Sequence, residues 1–203
     1  MFKFDRKKFF DAYRLRFGAL TQDLVDAIEF LLSQIEKDTR FGTTDADRRQ
    51  IAYCLATFKW ETAHTMRPID EYGTAAYFNS RYGSQTKVGK MLGNTQLGDG
   101  ARFHGSGFVQ LTGRANYTNA KKLTKVDLLA DPDSAKNPDL AYLIAVQGMK
   151  DGWFTGARLK QFFKDNEPPD YENARTIVND HDKAQLIADI ARRLNEVLMA
   201  ALS

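Results

Sequence analysis

Cysteine, histidine and long apolar runs are scarce in this chain of 203 residues. The single cysteine, Cys54, excludes an internal disulfide, and its apolar surroundings (IAYCLATF) predict a small buried side chain rather than a nucleophile. The three histidines leave one metal-enzyme hypothesis, Glu61-x-x-His64 with His104 and His181, but no two histidines have ligand spacing on one helix. We therefore expect neither a metal nor another cofactor.

Membrane-spanning and targeting segments are also missing from the sequence. No uncharged apolar stretch approaches the roughly 18 residues that a bilayer span needs, so we expect no stable membrane anchor. The first residues, MFKFDRKKFF, lack the apolar region of a secretory signal, which predicts synthesis in the cytoplasm. An amphipathic C-terminal helix leaves a membrane-active role as an alternative, although we expect that helix to pack on the core.

Charge of one sign is not concentrated anywhere in the chain. The net charge is +3 and the basic residues are scattered among acids, whereas a nucleic-acid-binding protein usually carries a basic stripe. We therefore expect no nucleic-acid partner. The weak positive field would still favour approach to an anionic polymer or surface, such as a bacterial cell wall.

Helical periodicity dominates what is present. Apolar residues recur at helical spacing in three long segments, the first with Thr21 as N-cap and the second with Thr44 or Asp45. Two shorter segments show a similar pattern. The predicted helices are therefore 21–37, 46–64 and 183–201, with shorter ones at 5–16 and 138–152.

Glycine and aromatic residues are concentrated between these helices, from 73 to 108. Long structured loops of this kind are usually functional in compact domains. Because we find no repeat, low-complexity tract or linker, we predict one domain over 1–203, with a smaller loop-rich lobe within 67–108.

Three carboxylates stand close together in the stretch FKWETAHTMRPIDEYG, residues 58–73. Glu61 follows Trp60 near the end of the second predicted helix, which Pro68 must terminate. A carboxyl group held against aromatic surface loses its hydration, and this favours the protonated form that a general acid needs. Asp70 or Glu71, in a more polar loop, would stay ionised as a base, and such a pair can cleave a glycosidic bond.

Spacing alone also permits a plainer interpretation of these acids. Glu61 could pair with Lys59 or His64 on the helix surface, while Asp70 and Glu71 are solvated turn residues. The sequence pattern by itself does not decide between a surface and a site.

Polar side chains also follow a tight glycine turn in RFHGSGFVQLTGRANY, residues 102–117. FVQLTG predicts a short strand or a buried extended run, in which Gln110 and Thr112 point to the same side. Their amide and hydroxyl groups suit sugar hydroxyls, N-acetyl groups or a water molecule. The alternative is a solvated strand face.

Together, ETAHTMRPIDEYG, GSGFVQLTGRANY and NPDLA resemble the family 19 glycoside hydrolases, and in particular the endolysin-type members of phages and prophages. The resemblance covers about residues 18–201. It implies that Glu61 is the general acid and that Glu71 is the base activating water, with Asp70 as the alternative base. It also implies substrate-binding roles for Gln110, Thr112, Asn116 and Asn179, with the Thr112 hydroxyl helping to hold the attacking water.

Three departures separate the chain from the family pattern. Trp60 stands where the family has histidine, Ser106 replaces the arginine of Gly-Arg-Gly, and Asp180 replaces the glycine after Asn179. Arg102 and His104 lie near Ser106 in sequence and could supply the missing charge.

The resemblance implies a mainly α, lysozyme-like fold (α+β) with two lobes, a cleft and a small β hairpin or sheet. It implies an inverting hydrolase that needs no metal and cuts β-1,4 bonds of peptidoglycan. We expect the protein to be a monomer that is made in a bacterial host, is released by a holin-type route and acts in the periplasm or cell wall. Chitin is the alternative substrate. Further alternatives are a lytic transglycosylase and an inactive wall-binding relative.

Overall fold

The computed structural model describes residues 1–202, which form a mainly helical protein with one small antiparallel sheet. The chain divides into two compact units, one made of 1–66 and 149–202 and the other of 67–148. The sequence predicted a loop-rich lobe within 67–108, and the second unit also contains the following forty residues. The prediction of a single domain over 1–203 stays a prediction.

The first unit is built around three long helices and several shorter elements. It contains α1 (Arg6–Phe17), α2 (Gln22–Ile35), α3 (Asp45–Glu61), α9 (Leu159–Phe162), a 3₁₀ helix (Asn173–Ile177) and α10 (Ala184–Ala201). Helix α10 packs against both α1 and α3. Its buried stripe of aliphatic residues therefore forms part of the core, as the sequence predicted for this amphipathic helix.

Side-chain caps fix the starts of the predicted helices. Thr21 accepts a hydrogen bond from the Leu24 amide at the start of α2, and Thr44 forms a reciprocal capping box with Asp47 at the start of α3. Of the two N-caps proposed for α3, the structure selects Thr44.

Helix α3 ends three residues earlier than the predicted boundary at residue 64. The Thr62 hydroxyl donates to the Phe58 carbonyl at 2.7 Å and accepts from the Met66 amide at 3.0 Å, which closes the helix end. Ala63, His64 and Met66 have left-handed backbone conformations. Non-glycine residues adopt this conformation at a cost in free energy, so the periodic pattern could not reveal the early end.

The second unit contains the sheet and a set of short helices. Its elements are β1 (Ile69–Asp70), α4 (Ala75–Tyr82), α5 (Lys87–Met91), α6 (Asp99–Arg102), β2 (Ser106–Gly107), α7 (Arg114–Thr124) and a 3₁₀ helix (Pro132–Lys136). Helix α8 (Pro138–Asp151) begins in this unit and continues past residue 148. The core of the unit contains the buried side chains of Phe78, Phe103, Phe108, Leu111, Tyr117 and Leu128.

The strand predicted for FVQLTG is wrong. The strand is β2, which pairs with β1 so that Ile69 faces Gly107 and Asp70 faces Ser106. Phe108 to Gln110 form a turn, Gln110 has a φ of 54°, and Leu111 pairs back onto Ser106. Gly107, with a φ of 87°, permits this turn because glycine adopts left-handed conformations without steric cost.

Candidate active site

Glu61 is the last residue of α3 and is held by an ion pair. Its side chain is 16% exposed, and its Oε1 lies 2.6 Å from Nη1 of Arg175. The sequence predicted an aromatic environment for this carboxyl group, whereas its closest polar neighbour is a guanidinium. The surface pairing with Lys59 or His64 is also replaced, because Lys59 donates to the Tyr13 hydroxyl and the His64 ring lies edge-on to Trp60.

Arg175 is a buried arginine, with 2% of its surface exposed. Its Nε donates to the Asp182 carbonyl at 3.0 Å, and its own carbonyl accepts from the amide of Asn179 at 3.1 Å. The Asp182 carbonyl therefore holds the guanidinium, and the Asn179 amide holds the backbone of Arg175. The same contacts link Asn179, which the sequence assigned to the site, to the Arg175–Glu61 pair.

Sequence reasoning missed Arg175, which lies 114 residues from Glu61 in the chain. The one available signal was its position four residues before Asn179 in ARTIVN. The side chain of Asn179 accepts a hydrogen bond from the amide of Asp180, so this asparagine also orders the backbone after it. Asp180 has no left-handed conformation, and the missing glycine is therefore accommodated without backbone strain.

Glu71 lies directly after β1 and is held by two uncharged donors. The Tyr82 hydroxyl donates to Oε1 at 2.9 Å, and the Gly105 amide donates to Oε2 at 3.2 Å. The backbone amide of Glu71 donates to the Gly105 carbonyl at 2.7 Å, which extends the sheet pairing by one residue. Burial, followed by the bond to Glu71, raises the pKa of Tyr82 to about 12, so this hydroxyl remains a donor at neutral pH.

Gly105 leaves room for this arrangement because it has no side chain. A Cβ atom at this position would lie 2.9 Å from Oε1 of Gln110 and 3.1 Å from Oε2 of Glu71. The side-chain amide of Gln110 and the carboxylate of Glu71 therefore both lie next to the backbone of Gly105.

Asp70 points to a different set of partners. Ser106 donates to Oδ1 at 2.7 Å, the Lys136 ammonium lies 2.6 Å from Oδ2, and His104 Nε2 lies 3.7 Å from Oδ1. Burial acts to raise the pKa of Asp70, but the bonds from Lys136 and Ser106 outweigh it and hold the pKa below its ordinary value.

The sequence suggested that Arg102 and His104 could supply charge near Ser106, and the structure places only one of them beside Asp70. His104 does approach Asp70, but Arg102 donates instead to the carbonyls of Leu129 and Ala130, and Lys136 supplies the cation.

The other polar residues assigned to substrate binding form a connected series in the second unit. Gln110 Nε2 donates to the carbonyls of Ile69 and Gly107 at 3.3 and 3.4 Å, and the Thr112 hydroxyl donates to the Gln110 carbonyl at 2.8 Å. Asn116 Nδ2 donates to the Thr112 carbonyl at 3.0 Å. Gln110, Thr112 and Asn116 thus lie in one hydrogen-bonded group beside Glu71, whereas Glu61 and Asn179 belong to the first unit.

The structure also bears on three alternative hypotheses: a cysteine nucleophile, a metal site and a membrane-spanning helix. Cys54 is buried, as predicted, and burial raises the pKa of its thiol to about 12. Among residues 1–202, no group of three or more histidine, cysteine, aspartate or glutamate side chains could hold a metal ion. Within the same range, no helix combines the length and hydropathy of a bilayer span.

Comparison with known proteins identifies the fold. No protein-family model matches the chain. Chitinase C from Streptomyces griseus HUT6037 superposes with a TM-score of 0.63 at 16% identity, over 96% of this chain and 76% of that one. A bacterial family 19 chitinase gives 0.58 at 16% identity, over 96% and 94%, and a mutant of chitinase C gives 0.56 at 18%, over 97% and 92%. The mainly helical, lysozyme-like fold that the sequence predicted is thereby confirmed, and it is the fold of family 19 chitinases.

Proposed function

We propose that this protein is an inverting glycoside hydrolase that cuts β-1,4 bonds of peptidoglycan. Glu61 would protonate the leaving oxygen, and Glu71 would remove a proton from the attacking water. One observation carries the proposal: on a chitinase fold, both glutamates are held by oriented donors, Glu61 by Arg175 and Glu71 by Tyr82 and the Gly105 amide. Fixed donors keep each carboxyl group in one orientation, as acid–base catalysis requires.

Arg175 binds one of the two carboxyl oxygens of Glu61. The guanidinium contacts Oε1, so Oε2 would face the glycosidic oxygen in the proposed mechanism. After the proton has left, the fixed guanidinium would stabilise the carboxylate that remains. In the proposed cycle the charge of Arg175 therefore favours release of the proton from Glu61 and stabilises the carboxylate that results.

Glu71 is a better candidate base than Asp70 because of what binds each carboxylate. Asp70 accepts from a hydroxyl on one oxygen and from an ammonium on the other, and its lowered pKa makes it a weak proton acceptor. Glu71 accepts from a tyrosine hydroxyl and a backbone amide, and neither of these donors carries a full charge. We therefore assign activation of water to Glu71 and a structural ion pair to Asp70.

The polar series beside Glu71 is suited to hold the water and the sugar. The Thr112 hydroxyl donates to the Gln110 carbonyl, so its oxygen lone pairs can accept a hydrogen bond from a water molecule. We propose that Thr112 and Glu71 position this water, and that Gln110, Asn116 and Asn179 contact hydroxyl or N-acetyl groups. Left-handed backbone at Ala63, His64, Met66 and Gln110 supports a functional assignment, because such strain is concentrated at sites of chemistry.

Charge supports peptidoglycan as the substrate. Residues 67–148 contain ten lysines and arginines and seven acids, a difference of +3 that equals the net charge of the whole chain. The unit that carries Glu71 is thus the basic one, and it would be attracted to the anionic polymers of a bacterial wall. The endolysin role and action in the wall follow from this substrate and belong to the same proposal.

Chitin is the second candidate because the solved structures of similar fold are chitinases. Both polymers contain β-1,4-linked N-acetylglucosamine, so the same acid and base would serve either. Digestion of purified sacculi and of colloidal chitin, measured side by side, distinguishes them.

The deciding experiment compares the wild type with Glu61→Gln, Glu71→Gln and Asp70→Asn on sacculi, with products identified by mass spectrometry. We expect reducing ends from the wild type, loss of activity of at least 100-fold in both glutamate variants, and a smaller loss in Asp70→Asn. Glu167→Gln is the matched control, since this glutamate makes a surface ion pair with Lys164. Full activity in EDTA would dispose of the metal hypothesis.

Each alternative gives a different result in the same assay. Anhydro-muramyl ends would show a lytic transglycosylase, and absence of products from either polymer would show a wall-binding relative. An active Glu61→Gln variant would overturn the mechanism. Loss of activity in Asp70→Asn without loss of activity in Glu71→Gln would assign the role of base to Asp70 instead of Glu71.

A further inference from the structure

Arg81 is an exposed arginine that lies beside the proposed base, and the proposed mechanism does not use it. It precedes Tyr82, the last residue of α4, whose hydroxyl donates to Oε1 of Glu71 at 2.9 Å. The Arg81 guanidinium lies over the Tyr82 ring, 5.4 Å from the ring centroid. One tyrosine side chain therefore connects this cation with the surroundings of Glu71.

Tyr77 holds the Arg81 guanidinium from the same helix. Nη1 of Arg81 donates to the Tyr77 hydroxyl at 2.8 Å, across one turn of α4. The Tyr77 ring lies against the backbone that follows Glu71, because a Cβ atom at Gly73 would lie 2.8 Å from its Cδ1. The guanidinium and the hydroxyl are therefore held side by side, next to the chain segment that carries the proposed base.

Arg81 and Tyr77 keep hydrogen-bonding capacity for a further partner. A guanidinium has five N–H donors, and with residues 1–202 Arg81 makes a single side-chain hydrogen bond and no ion pair. The Tyr77 hydroxyl accepts that bond, so its own proton can still be donated. Tyr77 is 42% exposed, and a ligand can reach both side chains from solvent. Arg114 in the same unit differs, because it is paired with buried Asp99.

The segment around Arg81 contains no acidic residue. Residues 72–98 include Arg81, Lys87 and Lys90 and neither aspartate nor glutamate. The unit 67–148 has ten bases and seven acids, so outside this segment seven bases and seven acids cancel. The whole positive excess of the unit therefore lies in 72–98, where it favours the approach of an anion.

We propose that Arg81 and Tyr77 form a subsite for a carboxylate group of the polysaccharide substrate. The guanidinium would bind both carboxylate oxygens through its fork of N–H donors, and the Tyr77 hydroxyl would donate to one of them. Peptidoglycan carries carboxylates on its muramic acid lactyl groups and on its stem peptides, whereas chitin is neutral. The subsite rests on the proposed function and deepens it, since it selects an acidic glycan over a neutral one.

Calorimetric titration with three soluble glycans tests the subsite. The glycans are a peptidoglycan tetrasaccharide with its peptides, the same tetrasaccharide after an amidase has removed them, and chitotetraose. The titrations use a Glu61→Gln background, so that the glycans are not consumed. We expect Arg81→Gln to weaken the binding of at least one acidic glycan about tenfold or more, and that of chitotetraose less than about twofold.

The two acidic glycans identify the source of the carboxylate. A loss of affinity confined to the peptide-bearing glycan would assign it to the stem peptide. A loss confined to the peptide-free glycan would assign it to the lactyl group, which is an amide while the peptide is attached. Equal weakening of all three glycans in Arg81→Gln, or unchanged binding of all three, would overturn the proposal.

Further variants separate a built subsite from a general attraction of charge. Arg81→Lys keeps the charge but loses the fork, so we expect an intermediate loss of affinity for the acidic glycan. Tyr77→Phe should give a smaller loss with the same selectivity. Lys87→Gln is the matched control, because it removes another exposed charge from the same acid-free segment. Equal losses in Lys87→Gln and Arg81→Gln would show a general field only and would refute the subsite.

Kinetics on sacculi supply a second readout. We expect Arg81→Gln to raise KM about tenfold with little change in kcat, because the subsite binds the substrate without touching the reacting bond. Since Arg81 is exposed, its Tm should stay within about 2 °C of the wild type.

The two proposals fail differently. An active Glu61→Gln variant, or a wild type that digests neither polymer, would remove the proposed function without reference to Arg81. Loss of activity in Glu71→Gln together with wild-type KM and wild-type affinities in Arg81→Gln would refute the subsite alone.

Discussion

The ion pair between Arg175 and Glu61 provides the sharpest quantitative prediction. Replacing Arg175 by methionine keeps much of the side-chain volume but removes the charge that faces Glu61. Breaking a buried ion pair by removing one partner costs about 3–5 kcal/mol, because the other charge stays desolvated and unpaired. Since the Glu61 side chain is 16% exposed and can recover some hydration, we expect the lower end, about 3 kcal/mol.

That loss of stability can be measured by urea and thermal denaturation at neutral pH. In a protein of this size, about 3 kcal/mol corresponds to a fall in Tm of roughly 6–12 °C. A double-mutant cycle with Glu61→Gln isolates the pair, and we expect a coupling energy of about 1–3 kcal/mol. The ion pair between Arg16 and Glu196 is a matched control, because its N···O distance is also 2.6 Å while its side chains are 42% and 53% exposed. Arg16→Met and Glu196→Gln should couple by less than about 1 kcal/mol.

The outcome that refutes this reasoning is additivity. If the effects of Arg175→Met and Glu61→Gln add to within about 0.5 kcal/mol, the two side chains do not stabilise each other. Equal coupling in the buried and exposed pairs would show that burial is not what makes the contact strong.

Three further predictions concern Gly105, Asp70 and Cys54. Gly105→Ala should lower kcat several-fold with little change in Tm, because its Cβ displaces the ends of the Gln110 and Glu71 side chains by a few tenths of an ångström; unchanged kcat would contradict this. The pKa of Asp70 is lower in the folded protein than its ordinary value of 3.8, so the ionised side chain stabilises the fold at pH values above 3.8. This stabilisation is lost as the pH falls through the pKa that Asp70 has in the folded protein. The Tm difference between wild type and Asp70→Asn should therefore shrink from about pH 6 to about pH 2.5, and a constant difference would refute the assignment. Because burial raises the pKa of the Cys54 thiol to about 12, iodoacetamide at about pH 8 should alkylate it in denaturant but not in the native protein.

The sequence was sufficient for features that depend on local pattern. Helices α2 and α10 follow from apolar periodicity, and Thr21 is the N-cap that the sequence predicted. The end of α3 was not predictable, because it depends on one threonine side chain that closes the helix and on left-handed residues that no periodicity announces. The short helices of 73–108 were missed for a similar reason, since a helix of four to eight residues contains too few apolar positions to show a period.

The surroundings of the acids depended on contacts between distant residues. Arg175 reaches Glu61 across 114 positions and Lys136 reaches Asp70 across 66, and neither spacing carries a local signal. Aromatic neighbours in the sequence led to the prediction that Glu61 lies in an apolar environment. A buried guanidinium is the kind of neighbour that only the fold can supply.

The two adjacent acids, Asp70 and Glu71, are separated chemically by the geometry of a strand. Successive residues in an extended chain point to opposite sides, so one carboxylate reaches Lys136 and Ser106 while the next reaches Tyr82 and Gly105. An ammonium favours the ionised carboxylate and makes it a poor proton acceptor, whereas a hydroxyl and an amide orient a carboxylate without supplying a full charge. A shift in register of one residue would exchange these environments, and it is the pairing of Asp70 with Ser106 that fixes the register. Serine at position 106 thus places a small hydroxyl donor opposite Asp70, and the cation beside Asp70 comes from Lys136.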